Sequence, residues 1–321
     1  MAEYISIHKE DPEEARLYEL IPLIQYALER GALCQAWWEL RRVLETAPMS
    51  KTGLLLLDRL LAEIGGDSEG IFRLCGKKHT QIDVALHAYA LGAAGQYNKA
   101  LYLLCELTRL DPTRPLLAWA WRWLPPFPTL QPETLYPPLY HAIQTCRTQD
   151  ADASAFWLQL LALSKLIHQS DPTALLWLYL RAEAAREIGD LQLAQTLALE
   201  LYNCGWTAES FVLQARNCEA EAHLEEATKH YQAALLSPLH HPDIYAEIIA
   251  YLLQRDRWDE AQQHLRQLLH EHPYHPHALA LFFWASYRQT PSGEWSQKLT
   301  CLARAYPHDH AVQHIQHHLL T

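Results

Sequence analysis

One spacing, repeated along the chain, limits what it can fold into. A glycine is followed by an alanine five residues later and by an apolar or small residue four after that: Gly31–Ala36–Leu40, Gly95–Ala100–Leu104 and Gly189–Ala194–Ala198. In the first two sets a proline follows the alanine by twelve, at Pro48 and Pro112. The C-terminal third keeps the frame with Ala227 and Tyr231, then Ala261, Leu265 and Pro273, then Leu299 and Pro307. Ala194, Ala227, Ala261 and Trp295 follow one another at a period of about 34 residues, and at Trp295 the small residue is lost. Gly65 and Gly70 hold the five-residue spacing, with Gly70 one such period beyond Ala36. Periods of this length mark one supersecondary unit per repeat.

The physics of a unit follows from its residue types. A first helix of about a dozen residues ends at a left-handed turn near the glycine. A second helix folds back onto it, and the small alanine lets the two backbones approach. In "LDPTRP" and "SDPTALLW" the aspartate is expected to cap and the proline to open a helix. No single pair buries its apolar face, so units must stack. The expected fold class is all-α, a solenoid of stacked antiparallel helix pairs with a period of about 34 residues. Composition agrees: glycine is scarce at 11 in 321 residues, and Leu, Ala, Gln and Glu dominate, which favours helix over strand.

On "AREIGDLQLAQTLALEL", "AGQYNKALYLLCELTRLDP" and "RDRWDEAQQHLRQLLHEHP" the chain resembles the tetratricopeptide repeat family, over about 17–112 and 175–307. The resemblance implies a right-handed superhelix whose first helices line a concave, partner-binding face. It also implies a closing helix, here "DHAVQHIQHHLL". Residues 113–172 break the period. Six prolines, Pro125, Pro126, Pro128, Pro132, Pro137 and Pro138, fall within fourteen residues, a density expected to exclude helix. Helices are expected near 136–148 and 152–168. The chain therefore reads as an N-terminal array (1–124), a Pro-rich interruption with connecting helices (125–172) and a C-terminal array with a capping helix (173–321). The interruption is either a hinge or a loop packed on one continuous stack. Before it, Trp119 and Trp123 share a helix face and Trp121 points away.

Charge and motifs narrow the function. With 26 basic and 37 acidic residues the formal net charge is −11, which disfavours nucleic acid and anionic membranes as partners. Seven cysteines, an odd number with no CxxC, point to free thiols in a reducing cytoplasm, most of them packed as small hydrophobes. The opening "MAEYISIHKEDPEEA" has no apolar segment of the kind a signal peptide needs, and no run approaches a membrane span. GxSxG, GxGxxG and HExxH are absent. "GIFRLCGKK" fails as a phosphate loop, with five residues between its glycines and lysine where Ser or Thr is required. No catalytic residue and no cofactor are expected.

Nineteen histidines, fourteen of them after residue 220, complicate the charge: with the 26 basic groups they would outnumber the acids if all were protonated. "HEHPYHPH" places His270, His272, His275 and His277 in an inter-unit turn, matched one period earlier by His241. Such histidines serve chiefly to satisfy helix ends. His310, His314 and His318 step by four along the last helix and are the metal-ligand candidates, without a cysteine nearby.

The resemblance puts the partner face on the first helices: Tyr179, Glu183, Arg186 and Glu187, then Glu209, Arg216 and Glu219, then Asp243 and Ala246, then Trp284, Tyr287 and Arg288. Gln25, Leu28, Glu29, Tyr89 and Gly92 hold the matching positions of the N-terminal array. Some members of that family clamp a terminal carboxylate with lysine and asparagine, a set this face lacks. It suits instead a peptide or helix with basic and apolar side chains. The expected function is a non-enzymatic protein-interaction scaffold. Its alternatives are a helical targeting or regulatory subunit of a larger enzyme or secretion complex, exposing a large apolar patch, and a histidine-edge sensor of metal or pH. The sequence does not set the oligomeric state.

Overall fold

A computed structural model of the chain describes residues 12–65, 80–148, 153–238, 240–307 and 309–320. Within them every regular element is helical and no strand occurs. By backbone proximity the chain divides into two compact units, Met1–Leu135 and Tyr136–Thr321.

The first unit holds α1 (Pro12–Glu29), α2 (Leu33–Thr46), α3 (Lys51–Glu63), α4 (Gln81–Ala93), α5 (Tyr97–Leu110) and a 3-10 segment, Pro115–Arg122. Helix α6 (Pro132–Thr148) leads into the second. There follow α7 (Ser154–Ser170), α8 (Leu175–Glu187), α9 (Leu191–Asn203), α10 (Thr207–Ala220), α11 (Leu224–Leu235), α12 (Pro242–Gln254), α13 (Trp258–Glu271), α14 (Pro276–Gln289), α15 (Gly293–Ala305) and α16 (His310–Leu320). From α7 to α16 each helix packs on its neighbour in sequence, as do α1 to α3 and α4, α5 and the 3-10 segment, and α8 on α10, α12 on α14 and α14 on α16 also touch. This nearest-neighbour and next-but-one pattern is that of a helical solenoid.

The alanines at the hairpin crossings are sealed: Ala36, Ala100, Ala227 and Ala261 are 0 % exposed and Ala194 1 %. A larger side chain there would push two helices apart. The turns are equally uniform. The residue after the helix end is left-handed at Gly31, Gly95, Gly189 and Gly205. The next N–H then reaches back five residues, as from Asp190 to the Ala185 carbonyl (2.9 Å). Ala222 (φ 62°) and Asp256 (φ 56°) hold the same conformation without being glycine. Their following N–H groups close the same bond, His223 to Cys218 (2.7 Å) and Arg257 to Leu252 (3.0 Å).

Four expectations change. Helix α6 starts at Pro132 and runs through Pro137 and Pro138. Pro132 occupies the first position, where no N–H is needed. The other two remove only the N–H groups that would bond within the helix's first turns. Asp111 and Asp171 do not cap the next helix: each takes the N–H and hydroxyl of the threonine two residues on, making a separate turn before the chain re-enters helix. The tryptophan segment is 3-10, so Trp119 is sealed with its Nε1 on the Pro48 carbonyl (2.7 Å), while Trp121 is 38 % exposed. Of the cysteines, Cys105 is buried, but Cys34, Cys204 and Cys301 are exposed and Cys146 and Cys218 half-buried. Cys75 and the "GIFRLCGKK" segment lie outside the described residues.

Candidate functional site

One face of the second unit gathers its charge. Along α8, Tyr179, Glu183, Arg186 and Glu187 recur at the three-to-four residue steps that keep side chains on one side of a helix. Glu183 is only 1 % exposed because neighbouring helices enclose it. A bare carboxylate there would be costly, and three guanidiniums converge on it: Arg216 from α10, Arg147 from α6 and Arg186 from α8 itself. Arg216 also donates to the Tyr179 hydroxyl (2.8 Å) and to Glu247 of α12. Arg147 reaches Glu247 (3.3 Å), and Arg186 pairs with Glu187 (2.5 Å).

The electrostatics follow from this alternation. Burial alone would raise the Glu183 carboxyl, but Arg216, Arg186 and Arg147 outweigh it and hold the group below the usual carboxylate range. Burial likewise works against the Arg216 charge, yet Glu183 raises its pKa well above normal. The group is thus held ionised among its three arginines. The Cys146 thiol nearby is pushed up to about 12 by burial and by Glu187, and stays protonated.

Past this network opens a cleft of about 670 Å³ between α6, α8, α10, α12, α14 and α16. Its polar wall alternates Glu187, Glu219 and Glu247 with Arg147, Arg186 and Arg216, and Glu219 is held by the Tyr231 hydroxyl (2.8 Å). Its apolar wall is Leu281, Trp284 and Ile315. His277 sits at the bottom, 7 % exposed, with its Nδ1 unpartnered. Burial depresses its pKa to about 4 and His275 adds to the effect, against pulls from Asp309 and Asp243.

The residues singled out in sequence divide three ways. Arg186, Glu187, Arg216, Glu219 and Trp284 line the cleft. Tyr179 and Glu183 are buried beneath it and position the arginines. Tyr287 and Arg288 do not line it: Arg288 lies over the Trp258 ring, 5.8 Å from its centroid, and Tyr287 is half-buried one turn from Trp284. Sequence reasoning missed Arg147, Gln144, Glu247, Leu281 and His277. The signal for the α6 residues was present in Tyr136, Tyr140, Gln144 and Arg147, spaced along one helical face.

The histidine edge joins the end of one helix to the start of the next: His270 and His272 close α13, and His241 and His275 open α12 and α14. His275 caps α14, its Nδ1 accepting from the Ala278 N–H (3.2 Å) and its Nε2 meeting Asp243 (2.9 Å). His241 precedes α12 and packs on the Tyr136 ring, 4.8 Å between centroids. His270 and His272 are exposed. His314 is exposed and lines the cleft, whereas the side chains of His310 and His318 lie outside the described residues, as does His308. Among the described residues no three histidines, cysteines or acids are grouped to hold a metal ion. Nor, among them, is any helix long and apolar enough to cross a membrane. Compared with protein-family models and with curated proteins, the chain matches none.

Proposed function

We propose that the chain is a non-enzymatic protein-interaction scaffold of the tetratricopeptide-like class, a right-handed superhelix of antiparallel helix pairs repeating about every 34 residues. The openings of α8, α10, α12, α14 and α16, at Leu175, Thr207, Pro242, Pro276 and His310, support this reading, since they keep that period. So do the left-handed turns at Gly189, Ala222 and Asp256, which recur at the same interval. The exposed free thiols suit a reducing cytoplasm.

The observation that carries the reading is the cleft, with alternating carboxylates and arginines on one wall and Trp284, Leu281 and Ile315 on the other. Its size suits a few side chains of a protein segment. Glu219, which faces the cleft with no arginine paired to it among the contacts above, would take a basic residue and Trp284 the apolar residue beside it. Association would be steered by charge and weaken with salt.

Affinity capture from the source organism with the intact chain and two variants tests this. Trp284→Ala is expected to weaken the captured partner by ~30-fold, the loss of about 2 kcal/mol typical of a central aromatic anchor. Tyr287→Ala/Arg288→Ala is expected to leave it bound. A partner that ignores Trp284→Ala sinks the proposal.

A further inference from the structure

Helix α14 turns one stripe of side chains towards the cleft. His277, Leu281 and Trp284 stand on it at steps of four and three residues, which keep side chains on one helix face. His277 opens the stripe but has no capping task at the helix start, because the neighbouring His275 already takes the Ala278 N–H (3.2 Å). Its ring is 7 % exposed, and among the described residues its Nδ1 meets no donor or acceptor. A buried polar atom left unpaired is costly, and native structures hold few of them. Burial also keeps the ring uncharged at neutral pH, so it offers one N–H and one lone pair rather than a charge. No hydrogen bond at Nδ1 opposes a turn of the ring about its soft χ2. Leu281 and Ile315 line the same cleft. In its polar wall the arginines are engaged: Arg147, Arg186 and Arg216 pair with Glu183, Glu187 and Glu247. Among the described residues Glu219 meets the Tyr231 hydroxyl and no arginine. The Arg186 Nε–H, buried in that wall, meets no acceptor among them.

We infer that the floor of the cleft is a socket for a tyrosine of the partner segment, that His277 selects tyrosine over phenylalanine there, and that a basic residue next to this tyrosine pairs with Glu219. The phenol ring suits the apolar wall of Leu281, Trp284 and Ile315, and its hydroxyl ends the side chain at the imidazole. A hydroxyl both donates and accepts, so it satisfies Nδ1 in either neutral tautomer. An indole N–H serves one tautomer only, and phenylalanine serves neither. Serine and threonine carry a hydroxyl but no apolar body to cover the stripe. The Arg186 Nε–H takes a backbone carbonyl, which marks the occupant as a stretch of peptide rather than a free phenolic amine. This rests on the interaction-scaffold reading and names the residue that its cleft selects.

The test titrates short probes into the full-length chain and follows binding by NMR. Acetylated, amidated peptides flanked by glycines carry Arg-Tyr or Tyr-Arg, and a matching set carries phenylalanine in place of tyrosine. Wild type is expected to bind the better tyrosine probe at least ~10-fold more tightly than its phenylalanine counterpart, a comparison that needs no variant. The His277 Nδ1 resonance is expected to move with the tyrosine probe and to stay in place with the other. His277→Leu keeps the bulk, removes the ring nitrogens and is expected to bind both probes alike. Equal binding of the two probes by wild type, binding of neither, an unmoved Nδ1 resonance or a preference that survives in His277→Leu overturns the inference. So does tyramine, a phenol with a cation and no carbonyl, if it binds as tightly as the peptide. The two readings fail separately. If Trp284→Ala loses the captured partner while wild type ignores the tyrosine hydroxyl, the cleft reading stands and the socket falls. If wild type selects tyrosine through His277 while Trp284→Ala still captures the partner, the role given to Trp284 fails and the socket stands.

Discussion

Two faces of the molecule use one polar motif and finish it differently. In the first unit Tyr89 of α4 donates to Asp58 (2.6 Å) and accepts from Arg122 (2.8 Å), and Arg122 pairs with Asp58 (2.5 Å). Aromatic rings complete that face. Trp119 stands edge-on to Tyr89 at 5.9 Å, and Trp123, stacked on Tyr97, lies so close to Gly92 that a Cβ there would come within 2.3 Å of its ring. In the second unit Tyr179, Glu183 and Arg216 repeat the tyrosine, carboxylate and arginine. Further acids and arginines replace the rings, and a cleft of about 670 Å³ remains. Tyrosine–carboxylate–arginine contact is thus not itself a sign of function. One face is filled by tryptophan, whereas the other leaves ions beside open volume, the volume in which we propose a partner binds.

The largest effect should fall on the buried ion. Glu183→Gln leaves three guanidiniums around a neutral group, and one of them, Arg216, is itself buried. A loss of about 3–5 kcal/mol is expected, read by urea unfolding. Asp58→Asn breaks the corresponding pair in the first unit. Its side chains are 43 % and 30 % exposed, so about 1 kcal/mol or less should be lost. Equal losses at the two positions would erase the distinction between the faces.

That contrast also explains what the chain's sequence discloses. The hairpins are legible because close helix crossings demand a small residue and left-handed turns favour glycine, so Ala194 and Gly189 mark their units wherever they recur. Arg216 is legible because it stands one period after Glu183, on the next first helix. Arg147 carries no such mark. It comes from α6, outside the period, and its partners Glu183 and Glu247 lie 36 and 100 residues away. The proline density concealed α6 as well, because Pro132 opens the helix at no cost while Pro137 and Pro138 sit inside it, where local propensity argues against helix and burial of Leu135, Leu139 and Ile143 overrides it. That Tyr287 and Arg288 lie outside the cleft lining has a simpler reason: the residue pattern sets a helix's period but not the rotation at which Trp284 meets the cleft.

Acid should separate the faces next. Buried His277, with a pKa near 4 against an ordinary value of 6.5, binds fewer protons folded than unfolded between those values. Its contribution is intact above about pH 6.5 and is lost progressively as pH falls towards 4, at most about 3 kcal/mol. His277→Phe is expected to flatten stability over that window. If the variant keeps the wild-type slope, the loss arises elsewhere.

Filling each face gives a smaller and directional contrast. Gly92→Ala forces its methyl into the Trp123 ring and should cost about 1–3 kcal/mol. Ala250→Leu adds bulk where α12 borders the cleft and should change stability by no more than about 0.5 kcal/mol, while weakening partner capture. If Ala250→Leu destabilises as much as Gly92→Ala, the cleft is packed rather than open.

The smallest effect isolates stability from recognition. Ala222 sits left-handed at the turn joining α10, which carries Arg216, to α11, which carries Tyr231. An L-residue pays about 1–2 kcal/mol for that conformation. Ala222→Gly removes this strain but gives the unfolded chain more freedom, which returns about 0.4–1 kcal/mol. The net gain should lie between zero and about 1.6 kcal/mol, a rise of at most a few degrees in Tm. Gly189→Ala, in the equivalent turn after α8, should lose a similar amount. Both turns lie outside the cleft lining, so partner affinity should be the same in both variants. An affinity that followed Tm would mean the cleft forms only when its partner holds the hairpins together.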